Sequence, residues 1–153
     1  MGQHRKVQLV ISGGVRSGAD VAKALAMGAD AVSIGTAALI ALGCNRAIHV
    51  EDYHALGTEP GACHHCHTGR CPVGITTQDP ALESRLEVEE GARRVRNFLT
   101  VLTMEAQTLA RACGKSHLHN LEPEDLAALT VEAAAMAGVP LAGTDWIPGK
   151  NGY

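Results

Sequence analysis

Within the first 42 residues the same succession occurs twice: a short run rich in β-branched residues stops at glycine, and a helical pattern follows. Val7-Gln8-Leu9-Val10-Ile11-Ser12 stops at Gly13-Gly14; after Arg16-Ser17-Gly18-Ala19-Asp20, the residues Val21, Leu25 and Met27 recur at helical spacing up to a C-cap at Gly28. Ala31-Val32-Ser33-Ile34 then stops at Gly35, with Thr36 and a small-residue helix from Ala37 to Leu42 behind it. Runs this short and apolar read as parallel strands, which require a crossover between them, and helices supply it. The expected fold class is therefore α/β, built from βα units. A complete (β/α)8 barrel takes roughly 250 residues. The chain has 153, so two βα units of such a barrel are expected, with open sheet edges and apolar faces that further strands would cover.

Composition narrows the partners. Aromatic residues make up only 3% of the chain, so Ala, Leu, Val and Ile do the packing, which suits close helix-on-strand contacts. A net charge of -3 supplies no electrostatic attraction for nucleic acid or an anionic membrane. No apolar run reaches the ~18 residues of a membrane span, and the N-terminus lacks a secretory h-region. A cytoplasmic protein is expected.

Beyond the final βα units at 1–42, the chain divides by character. Residues 43–80 hold four of the five cysteines, several His and Gly and no sustained period, and are expected to form a loop that gathers ligands. Residues 81–140 turn helical: Leu82 and Leu86 form one short stretch, Gly91 is a candidate break, and Val95, Phe98, Leu99, Leu102 and Leu109 line one face up to Gly114. Glu122-Pro123-Glu124-Asp125 reads as a helix start with Pro near its first position. Residues 141–153 read as an irregular arm. Glu83, Glu87, Glu89 and Glu90 against Arg85, Arg93, Arg94 and Arg96 read as a solvated helix face.

The sharpest chemical signal is Cys63-x2-Cys66-x4-Cys71-Pro72, with Cys44 upstream. Without a secretory signal, clustered thiols point to metal ligation rather than disulfides. Thiolates so close together can converge on one soft centre, and a closing Cys-Pro fits iron–sulfur ligation. Structural zinc is the rival, its second hook supplied by His64, His65 or His67. Those histidines otherwise serve as hydrogen-bond donors to sulfur or as plain loop residues. Cys113 is expected to be a small buried hydrophobe. His4, His49, His54, His117 and His119 have no recognisable partner spacing.

The glycine loops carry the second signal. Ser12-Gly13-Gly14-Val15-Arg16-Ser17-Gly18 and Ile34-Gly35-Thr36-Ala37 place glycine where backbone N–H groups could approach a phosphate at the end of a barrel. Taken alone, they are equally turn residues, and Arg16 is equally a solvated helix-entry residue.

The stretch from Ile11 to Thr36, "SGGVRSGADVAKALAMGADAVSIGTA" above all, resembles the last two βα units of FMN-dependent barrels. With "CHHCHTGRCPVGITTQDP" and the closing "LAGTDWIPGK", nearly the whole chain is similar to the C-terminal part of the FMN-binding synthase domain of the glutamate synthase family, including its N-methylglutamate branch. The resemblance implies that Gly13, Gly14, Gly35 and Thr36 hold the FMN phosphate, with Arg16 nearby. It implies a 3Fe–4S cluster on three cysteines: Cys66 and Cys71 match directly, and either Cys44 or Cys63 takes the first place. If all four converge, a 4Fe–4S cluster becomes the alternative. The implied activity passes electrons through the cluster to FMN and on to a 2-imino acid. Implied partners are a glutaminase-like subunit, a β-helical subunit and an electron-donor protein or reductase. Val7 would open the seventh strand, so earlier barrel strands are expected upstream. Two readings from other classes stand beside this one: a stand-alone iron–sulfur electron-transfer module and a zinc-binding interaction subunit.

Overall fold

A computed structural model describes residues 6–150, which form two compact units, one from residues up to Ile34 together with those from Val101 on, the other from Gly35–Thr100. His4 lies outside the described residues.

In the first unit, β1 (Val10–Ser12) and β2 (Ala31–Ser33) pair in parallel, with Val10 opposite Ala31 and Ser12 opposite Ser33. The parallel pair expected from the sequence is present. Its first strand is shorter than the run from Val7, because the Asp30 carboxylate takes the Leu9 N–H at 2.7 Å and ends the ladder there. Both strands are largely solvent-exposed, Val10 by 60%. A mixed α/β unit with an uncovered two-strand sheet is consistent with part of a barrel.

The crossover is α1 (Gly18–Ala26). Ser17 caps it, accepting the Asp20 N–H, while the Asp20 carboxylate accepts the N–H groups of Arg16 at 3.0 Å and Ser17 at 3.2 Å. This reciprocal box fixes where the helix starts. Gly18 is buried because α1 begins against the backbone of a later helix: a Cβ there would overlap the Leu102 carbonyl oxygen and lie 2.5 Å from Ala106 N. Ala22, Ala26, Ala110 and Leu121 close the small-residue core, and Ala128, Ala134 and Val139 form a second one beneath α6 (Val131–Ala137). The helix expected to start at Glu122 is only a short 3-10 turn over Pro123–Asp125.

In the second unit, α2 (Thr36–Leu42) ends at Gly43, whose φ of 126° needs glycine. Residues 43–80 are not all loop: a 3-10 turn, Ala47–His49, leads into α3 (Val50–Ala55). Then come α4 (Pro80–Glu83), capped by Asp79, and the 25-residue α5 (Val88–Ala112), of which the residues up to Thr100 belong to this unit and the rest to the first. Gly91 does not interrupt α5. It lies inside that helix, where a Cβ would come within 2.8 Å of the Leu42 side chain, so close helix packing explains it. The expected solvated ion-pair face holds for Glu90 with Arg93 and Arg94. It fails for Arg85, which turns to other partners described below. Among the described residues no helix is long and apolar enough to cross a membrane.

Candidate cysteine site

The second unit brings the four clustered cysteines into one neighbourhood. Cys44 follows α2, its N–H closing the helix on the Leu39 carbonyl at 2.9 Å. The next residue, Asn45, is among the described residues the non-glycine one with positive φ, 68°, a left-handed kink that Asn tolerates better than most side chains. Cys71 is buried, Cys44 and Cys63 are half-buried and Cys66 is exposed. Burial pushes the Cys44 thiol up, and the sulfurs of Cys66, Cys71 and Cys63 push it further. Like charges act on one another only when close, so this repulsion records the clustering. Among the described residues, no group of three His, Cys, Asp or Glu side chains is drawn in tightly enough to hold a metal ion. The thiols are neighbours, with Cys66 at the surface.

Cys71 is the most elaborately built of the four. Cys71-Pro72-Val73-Gly74 is a turn in which the Gly74 N–H donates to the Cys71 carbonyl at 3.1 Å. Gly74 has a φ of 79°, and a Cβ on it would overlap the Leu82 carbonyl. The turn aims the N–H groups of Thr76, Ile75 and Val73 at the Cys71 sulfur. Burial opposes ionisation there, yet those donors, with the Thr76 hydroxyl, hold the thiol below its ordinary value. Cradles of N–H groups around a thiolate are what a ligand sulfur requires.

Arg85 pins this turn. Its guanidinium donates to the Pro72 carbonyl at 2.8 Å and to the Asp52 carboxylate of α3 at 2.6 Å. Pro72 is fully buried, so that carbonyl has few other donors within reach. Arg94 performs a similar service at Leu42, donating to its carbonyl at 2.9 Å just ahead of Cys44.

Tyr53 projects from α3 into the same cluster. It is 1% exposed and packs with Cys71 and Val73, with Cys63 and Ile75 at the margin. Burial, then the sulfurs of Cys44, Cys63 and Cys71, push its hydroxyl up to about 12, while the Asn45 N–H opposes the shift.

Two buried polar atoms around the site have no hydrogen-bond partner: Asn45 Oδ1, next in sequence to Cys44, and Nδ1 of His65, which lies between Cys63 and Cys66 in sequence. A buried polar atom without a partner is costly, and two of them beside candidate ligands mark a place where a bound group would satisfy them. His64, His65 and His67 stack on one another, with centroids 4.8 Å and 6.5 Å apart.

The glycine loops differ from each other. At α1 the N-terminal donors are already taken: Asp20 holds those of Arg16 and Ser17, and the Glu105 carboxylate holds that of Gly18 at 2.7 Å. Gly13 and Gly14 sit before it with φ of 110° and 68°, conformations that only glycine adopts readily, beside an open cavity of about 350 Å³ lined also by Ile11, Lys23 and Met27. The Arg16 side chain is exposed. At α2, by contrast, Gly35 is the N-cap with no side-chain cap and no acidic residue in the first turn. Space is open where a Gly35 Cβ would stand. Of the two loops, the one at Gly35 and Thr36 presents the unclaimed donors a phosphate needs.

Cys113, expected to be buried, is exposed near the C-terminal end of α5. His119 and His54 have structural partners, the Asp30 carbonyl and Glu59, each at 3.0 Å.

Two parallel strands with their helices, followed by a thiol-rich loop pinned by Arg85, define an α/β segment with a cysteine site. Residues 1–116 match the family described as the conserved region in glutamate synthase. The chain is 66% identical over its whole length to a glutamate synthase large subunit-like protein of Rhizobium meliloti, covering 35% of it. It is 39% identical to an archaeal-type glutamate synthase (NADPH) of Dehalococcoides mccartyi over 93% of this chain and 26% of that one. It is also 42% identical to an archaeal glutamate synthase (NADPH) of Methanocaldococcus jannaschii over 78% of this chain and 20% of that one. The chain belongs to the glutamate synthase family, and it spans about a third or less of the length of these relatives. No solved structure matches it.

Proposed function

We propose that this chain is the segment of a glutamate synthase-type oxidoreductase that holds an iron–sulfur cluster and contributes to the FMN site. The observation that carries the reading is the gathering of Cys44, Cys63, Cys66 and Cys71 in one neighbourhood, with Tyr53 buried against Cys71 and Cys63 and two unpartnered polar atoms at the rim. Soft thiolates with N–H donors aimed at them suit iron–sulfur ligation. Such a cluster would supply electron relay, and a bound FMN hydride chemistry toward a 2-imino acid, in glutamate or N-methylglutamate synthesis.

The chain's own residues then have distinct tasks. Cys71 is the best-prepared ligand, because Thr76, Ile75 and Val73 already stabilise its thiolate. Cys66, Cys63 and Cys44 complete the set, giving a 3Fe–4S centre on three of the cysteines or a 4Fe–4S centre on all four. Arg85 keeps the Cys71 turn in place through Pro72 and Asp52. Gly35 and Thr36 offer the first-turn donors of α2 to the FMN phosphate. Gly13, Gly14 and Arg16 keep their assignment to the same cofactor by resemblance to the family. The proposal extends to a cytoplasmic enzyme with glutaminase-like and β-helical subunits and a separate electron donor; NADPH figures in the names of two relatives.

A second reading rests on His65 Nδ1, buried and unpartnered between Cys63 and Cys66. A ring nitrogen there could complete a zinc site. Purification of the full chain without oxygen, followed by analysis for iron, acid-labile sulfide, zinc and flavin, separates the possibilities. Iron with sulfide and flavin is the expected result. Iron and sulfide without flavin would leave an electron-transfer module, and stoichiometric zinc without sulfide would overturn the cluster.

A further inference from the structure

Tyr53 is the side chain at the site that sequence spacing did not mark. A phenol buried to 1% exposure carries one donor that requires an acceptor, and the cost of leaving it unmade is high. The Asn45 N–H lies near the phenolic oxygen. Cys71 and, at the margin, Cys63 pack against the Tyr53 side chain, with the Cys44 sulfur close enough to act on the phenol. Among the side chains packed on Tyr53, those able to receive the phenolic proton are the cysteine sulfurs.

We infer that the Tyr53 hydroxyl donates a hydrogen bond to a ligand sulfur at this site and thereby raises the midpoint potential of the bound cluster. The inference rests on the iron–sulfur reading above and adds a positioning residue to it. Reduction places one more negative charge on cluster and ligands together, and a donor to sulfur stabilises that form more than the oxidised one. α3 places the donor: Asp52, the residue before Tyr53, is tied through Arg85 to the Pro72 carbonyl, so the phenol and the Cys71 turn are held by one ion pair. A phenol held this way keeps its distance to sulfur through a redox cycle.

The test is redox potentiometry with resonance Raman spectroscopy on the full chain, purified without oxygen, comparing wild type, Tyr53→Phe and Cys113→Ser. Tyr53→Phe preserves the ring and its packing. The expected result is wild-type iron and sulfide content, a midpoint potential displaced to more negative values and Fe–S stretching bands moved to higher frequency. Cys113→Ser is expected to leave all three unchanged.

Should Tyr53→Phe fail to retain the cluster, incorporation of 3-fluorotyrosine supplies the second probe, since the chain holds only two tyrosines. The more acidic phenol is the stronger donor, so the potential should move to more positive values. A cluster whose potential and bands are unmoved by both changes would overturn the inference and leave the iron–sulfur reading standing. A wild-type protein without iron and sulfide would overturn both.

Discussion

Gly74→Ala perturbs the ligand turn at one atom. Two costs are set by the structure. Gly74 has a φ of 79°, and an L side chain in that region costs roughly 1–2 kcal/mol. The added Cβ would also overlap the Leu82 carbonyl oxygen and stand 3.2 Å from Leu86 N and 3.3 Å from the Glu83 carbonyl oxygen. These are backbone atoms of α4 and the segment after it, which cannot swing aside as a side-chain tip can, and overpacking of this kind costs about 1–3 kcal/mol. The sum, about 2–5 kcal/mol, is a large fraction of a domain's typical stability. Gly57→Ala is the internal control, because Gly57 has a φ of 69° but nothing within 4 Å of its would-be Cβ; only the conformational cost applies. Urea denaturation of the two variants and wild type reads the difference. Gly74→Ala should also lose bound iron, since the turn that aims donors at Cys71 must open, while Gly57→Ala should keep it. Equal losses of stability in the two variants, with iron retained in both, would refute the steric account of this turn.

Other perturbations test separate links. Arg85→Ala should cost about 1–3 kcal/mol, the penalty for leaving the buried Pro72 carbonyl without its donor, with Arg85→Lys recovering part of it; equilibrium unfolding measures both. Gly18→Ala should destabilise by about 1–3 kcal/mol because its Cβ meets α5 backbone at Leu102 and Ala106, and hydrogen exchange on α1 should rise. Asp20 is held at about 2, chiefly by the Arg16 N–H, with Lys23 and Ser17 assisting against the cost of burial. Its folded value lies below the ordinary 3.8, so its contribution is present above about pH 4 and lost as pH falls toward 2. Discounted for solvent screening, that contribution is on the order of 1–2 kcal/mol, and Asp20→Asn should flatten this part of the acid denaturation curve. Gly35→Phe should reduce flavin retention in the full chain by closing the approach to the α2 donors, whereas the same change at Gly57 should not; both are read by absorbance at the flavin band.

The βα succession was legible because glycine ends both strands and apolar spacing marks the helices. The cysteine cluster was legible because thiols are rare and spacing alone groups them. What escaped was set by tertiary contact. Tyr53 lies in a segment without period, and only the fold of α3 turns it inward among the cysteines. Arg85 has the sequence context of a solvated helix charge, yet the break between α4 and α5 sends it to Asp52 and Pro72. Gly91 looks like a helix breaker until Leu42 is seen beside it. The difference between the glycine loops is likewise invisible in spacing, since it depends on Asp20 and Glu105 filling one helix start and on nothing capping the other. Cys113 was misjudged because a thiol on a helix face carries no mark of which way that face turns.

The most direct test of the central claim is iron and sulfide analysis with electron paramagnetic resonance on the full chain, purified without oxygen, as wild type, Cys71→Ser and Cys113→Ser. The iron–sulfur signal should be present in wild type and Cys113→Ser and absent in Cys71→Ser. A signal that survives Cys71→Ser, or a wild-type protein holding zinc and no sulfide, would contradict the assignment.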